Sequence, residues 1–282
     1  MSEIKFYCVT NKEIDFIKDK NFHFGWVGQD NPPHSYLRCD KGDNIYHKEK
    51  YYSELTFHYW FWKNLLKHET DDTWIGFCQK RRYWIKESTT EIIDKSNINK
   101  YLLKQIDNTQ NFDSIICHPI NTYGVKKIKL LKRGWKNLIR NPLIFFNENY
   151  QNIEVQFDMH HGFENLKRAI NLLDHKDKKE FLNFVKTENK FNPHIMFISK
   201  KKIINEWFKT LFKWLEKCEE EFGFKDLTGY DKTRLYAYLA ERFLSFWFKK
   251  VRIILAIIPS LPEPNITLSI LKLNISESLF RR

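Results

Sequence analysis

Two adjacent arginines, Arg81 and Arg82, follow the apolar run Thr73–Cys78, with Gln79 and Lys80 between. A short apolar run bounded by polar residues reads as a buried strand. In an open α/β sheet, the carboxyl ends of the strands face the crevice where ligands bind. Paired guanidinium groups at that edge suit a phosphate or diphosphate, whose oxygens match their forked donors. Side chains alternate along an extended segment, so one of the two is expected to face the crevice. The competing reading is a surface pair bonded to helix carboxylates.

Other chemistry-bearing residues are scattered along the chain. Gly42-Asp43-Asn44 and Lys48 stand before the aromatic segment 53–67. Backbone N–H groups at a helix start attract anions, which makes Lys48 a candidate for a phosphate and Asp43 for a ribose or sugar hydroxyl. An Asx turn at 42–44 explains the same residues equally well. Glu54 falls where a carboxylate complements a helix dipole. Asp158, His160 and His161 form a polar cluster. Adjacent histidines do not readily share one metal, and no Cys or His stands at zinc-ligand spacing. His194, between Asn192-Pro193 and an apolar run, suits either a cleft lining or a satisfied core position. Glu241-Arg242, amid Tyr238–Phe243, reads as a buried ion pair or as an acid/base with its orienting partner.

The elements that must position these groups alternate. Ile4–Val9 reads as a first strand ending at Thr10-Asn11-Lys12. Residues 20–50, with Gly25, Gly28, Pro32, Pro33 and Gly42, read as a long loop. Ser53 is placed to cap a helix running to about Lys67, with Leu55, Tyr59, Trp62 and Leu66 at helical spacing and aromatic bulk on its other faces. The strand 73–78 follows, then a polar helical crossover over 88–111 and a strand over 113–117. Residues 121–152 fit a surface helix or a hairpin, basic over Lys126–Arg140. Short helices are expected over Phe163–Leu173 and Lys178–Lys186, and a strand over His194–Ile198. Two strong helices close the series, Ile203–Phe222, ended by Gly223, and Asp231–Lys250. The aromatic stripes at helical spacing read as core. This order predicts an α/β fold: a mostly parallel central sheet flanked by helices, in one domain over 1–250. Residues 251–282 read as a C-terminal appendage suited to membrane or partner contact. There is no G-x-G-x-x-G after the first strand, no Walker A motif, no G-x-S-x-G and no H-E-x-x-H.

Composition narrows the partners. Hydrophobic residues at 42% and aromatics at 16% supply a sizeable core and exclude general disorder. The net charge of +12 points to anionic partners, although lysines scattered over solvated faces give the same sum. The five cysteines form no C-x-x-C pair, which fits buried thiols in a reducing compartment. No leader pattern opens the chain, and no apolar run nears the roughly 20 residues of a spanning helix. The expectation is a cytoplasmic protein, with room for peripheral contact at the inner membrane face.

The run Tyr52-Ser53-Glu54-Leu55-Thr56, then Tyr59-Trp60 and Trp62-Lys63-Asn64, resembles the signature of the DUF4422 family. So does Ile75-Gly76-Phe77-Cys78-Gln79-Lys80-Arg81-Arg82-Tyr83-Trp84. Val9-Thr10-Asn11-Lys12, Gly42-Asp43-Asn44-Ile45 and Tyr238–Phe243 add matches in family order. The resemblance implies a GT-A-like glycosyltransferase of capsular or exopolysaccharide synthesis. It would use a nucleotide-sugar donor, a UDP-sugar being favoured, and an oligosaccharide or lipid-linked acceptor. Under it, Thr10, Asn11 and Lys12 would meet the nucleoside, and Asn44 and Gln79 would also bind the donor. Asp43 would bind ribose or sugar, and Lys48, Arg81 and Arg82 the diphosphate. Glu241 is the first candidate base and Asp158 the second; His160, His161 and His194 are candidates for the acceptor or sugar. The sequence departs from the family where a His-Tyr pair is replaced by Gln79-Lys80. The Asp-x-Asp that holds Mg²⁺ or Mn²⁺ in GT-A enzymes is also missing, so no metal ligand is assigned. Two rivals remain: a non-catalytic family member, prompted by Gln79-Lys80, and a basic nucleic-acid-binding module. Nucleic acid is the weaker partner, because the aromatics follow core periodicity.

Overall fold

The computed structural model describes residues 1–86, 91–107, 112–250, 255–258 and 260–261. The chain opens with strands β1 (Ser2–Thr10), β2 (Phe22–Trp26) and β3 (Leu37–Arg38). Helices α1 (Glu49–Tyr52) and α2 (Leu55–Asn64) lead into β4 (Trp74–Gln79) and the short β5 (Tyr83–Trp84). Then come α3 (Ile98–Tyr101), β6 (Gln105–Ile106), β7 (Ser114–Cys117) and β8 (Ile120–Asn121). A run of helices follows: α4 (Lys127–Arg133), α5 (Trp135–Arg140), α6 (Leu143–Phe146), α7 (Ile153–His161), α8 (Asn165–Ile170) and α9 (His175–Thr187). Finally β9 (Lys190–Phe191) and β10 (Phe197–Lys200) precede α10 (Lys201–Phe222), α11 (Tyr230–Thr233), α12 (Leu235–Lys250) and the strand β11 (Leu255–Ile258).

The central sheet runs β11-β7-β10-β4-β1-β2-β3, with β6 against β1. Strands β3, β2, β1 and β4 are parallel neighbours, and β11 is parallel to β7. Strand β10 is inserted antiparallel between β4 and β7. The sheet is therefore mostly parallel, with β10 reversed inside it and the short β6 antiparallel to β1. Its strands are apolar on both faces because both are covered. Tyr7, Val9, Ile75 and Phe77 point into the core under α2, α10 and α12, with Phe57, Phe61, Trp207, Phe208 and Phe243. Phe6, Cys8, Trp74 and Cys78 point the other way, toward Tyr83, Trp84, Ile98 and Tyr101. The stripe Ile204, Trp207, Phe208, Leu211, Leu215 and Cys218 of α10 is buried throughout, as its spacing requires. All five cysteines are buried thiols outside any disulfide.

Three local readings change, and the choice left open over 121–152 falls to helix. The segment 20–50 holds β2, which pairs with β1 from Phe6↔Phe22 to Thr10↔Trp26. Its glycine disguised it: a Cβ at Gly25 would lie 2.2 Å from the Phe57 ring, so the strand needs a residue that interrupts a strand pattern. The crossover 88–111 is not one helix. Within its described part only α3 is helical, because Asp94 Oδ1 accepts from the N–H groups of Ser96 and Asn97 and makes a turn. Ser53 does not cap α2 with its side chain; it sits at φ 50° between α1 and α2. The segment 121–152 is helical, as α4–α6. In the stretch 251–282, Leu255–Ile258 lies beside β7 at the sheet edge, and most of the rest falls outside the described residues. No helix among the described residues is long and apolar enough to cross a membrane.

Candidate active site

A cleft of about 570 Å³ opens at the carboxyl ends of β1 and β4, bounded opposite by α1 and the start of α12. From β1 come Val9, Thr10 and Asn11, and from the β4 end Gln79, Lys80, Arg81 and Arg82. Glu49, Ser53 and Glu54 come from around α1. His194 precedes β10, Arg234 stands just before α12, and Tyr238 and Glu241 lie along α12.

The arginines do not continue an extended strand. Gln79 and Arg82 close a tight turn, with Arg82 N–H donating to Gln79 O at 2.9 Å. The turn is pinned from beneath by two fully buried aromatics. Tyr83 donates its hydroxyl to Lys80 O (2.8 Å), and Trp84 Nε1 donates to Phe77 O (2.9 Å). The chain reverses between the arginines, so both line the cleft, where alternation along a strand predicted one. Lys80 N–H donates to Val9 O at 3.1 Å, and its ammonium donates to Asn11 Oδ1, tying the turn to the end of β1. Burial pulls the Arg82 guanidinium below its ordinary value, against the pull of Glu241 and Glu54.

Carboxylates face these cations. Glu54 Oε1 accepts from Gln79 Nε2 at 2.7 Å. Burial raises Glu49 above the usual carboxylate range, while Arg234 and Lys80 oppose the rise. Glu241 keeps 15% of its side chain exposed and bonds Arg242, which is 2% exposed. Arg242 also donates to Gln156 Oε1 (2.8 Å) and lies 4.2 Å from the Phe191 ring centroid. Burial raises the Glu241 carboxyl; Arg242 and the His194 N–H pull it back only in part. That N–H donates to Glu241 Oε1 at 2.5 Å. The His194 ring is lowered to about 4 by burial and by Arg82, so it is neutral near pH 7. The two non-glycine residues of the cleft with positive φ, Ser53 at 50° and His194 at 65°, are held in a conformation that costs on the order of 1–3 kcal/mol. For His194 the surroundings enforce it: Asn192 N–H donates to Ser245 Oγ (2.8 Å) and its side chain to Cys117 O (2.6 Å).

The other sequence candidates lie elsewhere. Lys48 donates to both oxygens of Glu219 at 2.6 and 2.8 Å, sharing it with the Tyr52 hydroxyl. Asn44 makes the Asx turn, bonding Gly42 O and Tyr46 N–H, while Asp43 O accepts from Asn64. Lys12 is engaged through its backbone by Thr10 Oγ1. Asp158 is buried away from the cleft, accepts from Glu164 N–H at 2.9 Å, and is raised by burial to about 6. His160 contacts Arg133. His161 stacks behind the cleft residue Tyr238, with ring centroids 3.8 Å apart, and bonds Asp231 O. Sequence reasoning missed Glu49, Arg234 and Tyr238 as lining residues. One signal was available: Arg234, Tyr238 and Glu241 are spaced i, i+4, i+7 and so share a helix face.

The residues at the β4 end do not suit a divalent cation. Gln79, Lys80, Arg81 and Arg82 present amide and positive charge, and Glu54 and Glu241 are already bonded within the protein. Among the described residues no three His, Cys, Asp or Glu side chains converge at metal-binding distance.

The described chain is thus an α/β fold, a mostly parallel sheet with a charged cleft at its carboxyl edge. The fold is similar to the apo structure of WbbM, a bifunctional glycosyltransferase. The TM-score is 0.68 at 17% sequence identity, over 94% of this chain and 46% of that one. The chain thus spans about half the length of that protein. It belongs to the DUF4422 family, a domain of unknown function, whose model matches residues 5–252. No curated protein matches the chain.

Proposed function

We propose that the protein is a glycosyltransferase moving a sugar from a nucleotide-sugar donor, with a UDP-sugar favoured, to an oligosaccharide or lipid-linked acceptor of a surface polysaccharide such as a capsule. The observation that carries this reading is the pinned turn that aims Arg81 and Arg82 into a cleft opposite Glu241. Preorganised cations act most strongly where charge develops, here on the departing diphosphate. Arg81 and Arg82, with Lys80 and Arg234 beside them, supply four positive charges where a GT-A enzyme with Asp-x-Asp would use a metal. Thr10 and Asn11, which line the same cleft, would meet the nucleoside end.

In this reading an acceptor hydroxyl attacks the anomeric carbon, and the bond to the diphosphate oxygen breaks. Glu241 takes the hydroxyl proton as general base, and inversion follows. Its raised pKa makes it a better proton acceptor than an exposed glutamate. Neutral His194 lines the same side of the cleft, where it can accept or donate one hydrogen bond to a sugar hydroxyl.

The test is a thermal-shift series with UDP-, GDP-, CMP- and dTDP-sugars, each with Mn²⁺ and with EDTA, followed by donor turnover. A ligand that binds the folded state raises the melting temperature by mass action. A shift with one nucleotide class that survives EDTA, and donor turnover, is the expected result. Binding without turnover identifies a non-catalytic member. No shift with any donor, together with salt-sensitive binding to random oligonucleotides, would turn the assignment to nucleic acid.

A further inference from the structure

The segment 126–150 buries one set of apolar side chains and leaves another in water. Leu130 and Ile144, with the partly buried Leu138, pack on Val155 and Met159 of α7. Six other apolar residues of the same helices are exposed: Ile128, Leu131, Trp135, Ile139, Leu143 and Phe146. Ile139 is 72% and Phe146 77% exposed, far beyond what a satisfied surface residue of that size shows. Within each helix the exposed pair is three or four residues apart (Ile128 and Leu131, Trp135 and Ile139, Leu143 and Phe146), so each of the three short helices turns one apolar edge outward.

Cations are interleaved with these side chains. Seven stand between Lys126 and Arg140, and no Asp or Glu occurs from 114 to 147. Arg133 and Arg140 pair with Asp231 and Glu164. The five lysines of the segment have no carboxylate within ion-pair distance among the described residues. A protein partner would be expected to meet an apolar patch depleted of charge at its centre. Projecting apolar tips set between lysines that have no carboxylate partner, two of them over the rings of Phe145, Trp135 and Phe163, instead match an anionic lipid surface. There the apolar groups enter the interface and the ammoniums meet headgroup phosphates.

We propose that the α4–α6 face is a membrane-docking surface that seats the protein on anionic phospholipid. The surface adjoins the cleft: Arg133 of α4 bonds Asp231 (3.0 Å), three residues before the cleft residue Arg234. The surface would seat the protein in this way whichever ligand the cleft takes.

The experiment is vesicle co-sedimentation of the full chain, using phosphatidylcholine vesicles with and without phosphatidylglycerol, at low and high salt. Three proteins are compared: wild type, the triple variant Trp135→Ser, Ile139→Ser, Phe146→Ser, and the triple variant Lys126→Gln, Lys129→Gln, Lys132→Gln. All six positions project from the surface or carry solvated ammoniums, and unchanged circular dichroism and melting temperature establish folding. The expected result is wild-type binding that needs phosphatidylglycerol and weakens with salt, and that falls about tenfold or more in each variant. Wild-type protein that stays unbound, or variants that bind like wild type, overturns the proposal. So does a wild-type dimer that the serine variant converts to a monomer while vesicle binding is absent, because the occupant is then a second copy.

Discussion

The backbone N–H of His194 donates to Glu241 Oε1 at 2.5 Å, from a residue whose φ is 65°. The carboxylate facing the cleft is thus aimed by a strained peptide rather than by a second side chain alone. Arg242, on the other carboxylate oxygen, is locked by Gln156. Both Glu241 oxygens are therefore held in place, which is what a positioned base requires.

Replacing Glu241 by Gln keeps an oxygen for the His194 N–H and removes the base. The expected outcome is a fall in kcat of about 10²–10⁴-fold with donor affinity changed by less than about threefold. Because burial raises this carboxyl, the acidic limb of the wild-type pH–kcat profile lies above the ordinary glutamate value of about 4.3. Steady-state kinetics of wild type and E241Q across pH decide it. A kcat within twofold of wild type removes Glu241 from the chemistry.

Arg81→Ala and Arg82→Ala each remove a charge-assisted contact to diphosphate. A hydrogen bond to a charged group is worth about 1.5–3 kcal/mol, so UDP affinity is expected to weaken roughly 10- to 150-fold for each. Calorimetric titration with UDP measures it. The pinned aromatics Tyr83 and Trp84 are untouched, so the fold should hold; equal UDP affinity in both variants and wild type would falsify the diphosphate role.

Asp158 offers a pH test of stability. Its folded value, about 6, lies above the unfolded carboxylate value of about 3.9. Its stabilising share is full below the unfolded value and is lost as pH rises through about 6. Asp158→Asn keeps an oxygen for Glu164 N–H and has nothing to ionise. Urea denaturation should show the variant about 1–2 kcal/mol more stable than wild type at pH 8, with the gain vanishing near pH 4. A gain independent of pH would point to packing instead.

Gly25→Ala places a methyl group 2.2 Å from a Phe57 ring carbon, beneath the parallel pairing of β1 and β2. Overpacking of this kind costs roughly 1–3 kcal/mol. The urea midpoint should fall accordingly. A variant as stable as wild type means that Phe57 turns aside freely.

Much of this was legible in the chain. Apolar runs gave β1, β4, β7 and β10, and 3.6-residue periodicity gave α10 and α12, because core burial imposes those patterns directly. Strand β2 was hidden, since the contact that demands Gly25 is with a side chain 32 positions away. The arginines were found because their position after an apolar strand is a local signal. The turn that turns both toward the cleft depends on Tyr83 and Trp84 packing beneath it, and a linear pattern does not carry that. Lys48 and Asp43 looked like ligand residues from their place before a helix. Glu219, which holds Lys48, lies 171 residues downstream and gives no local sign.

Because Tyr83 and Trp84 fix the backbone that carries Arg81 and Arg82, an arriving anion has little chain ordering left to impose. Freezing one residue's backbone costs about 1–2 kcal/mol, and here folding has already supplied that ordering. Recognition at this edge should then show fast, single-step association whose rate follows encounter and ionic strength. Only the side-chain torsions of the two guanidinium groups remain to settle once the ligand is in contact.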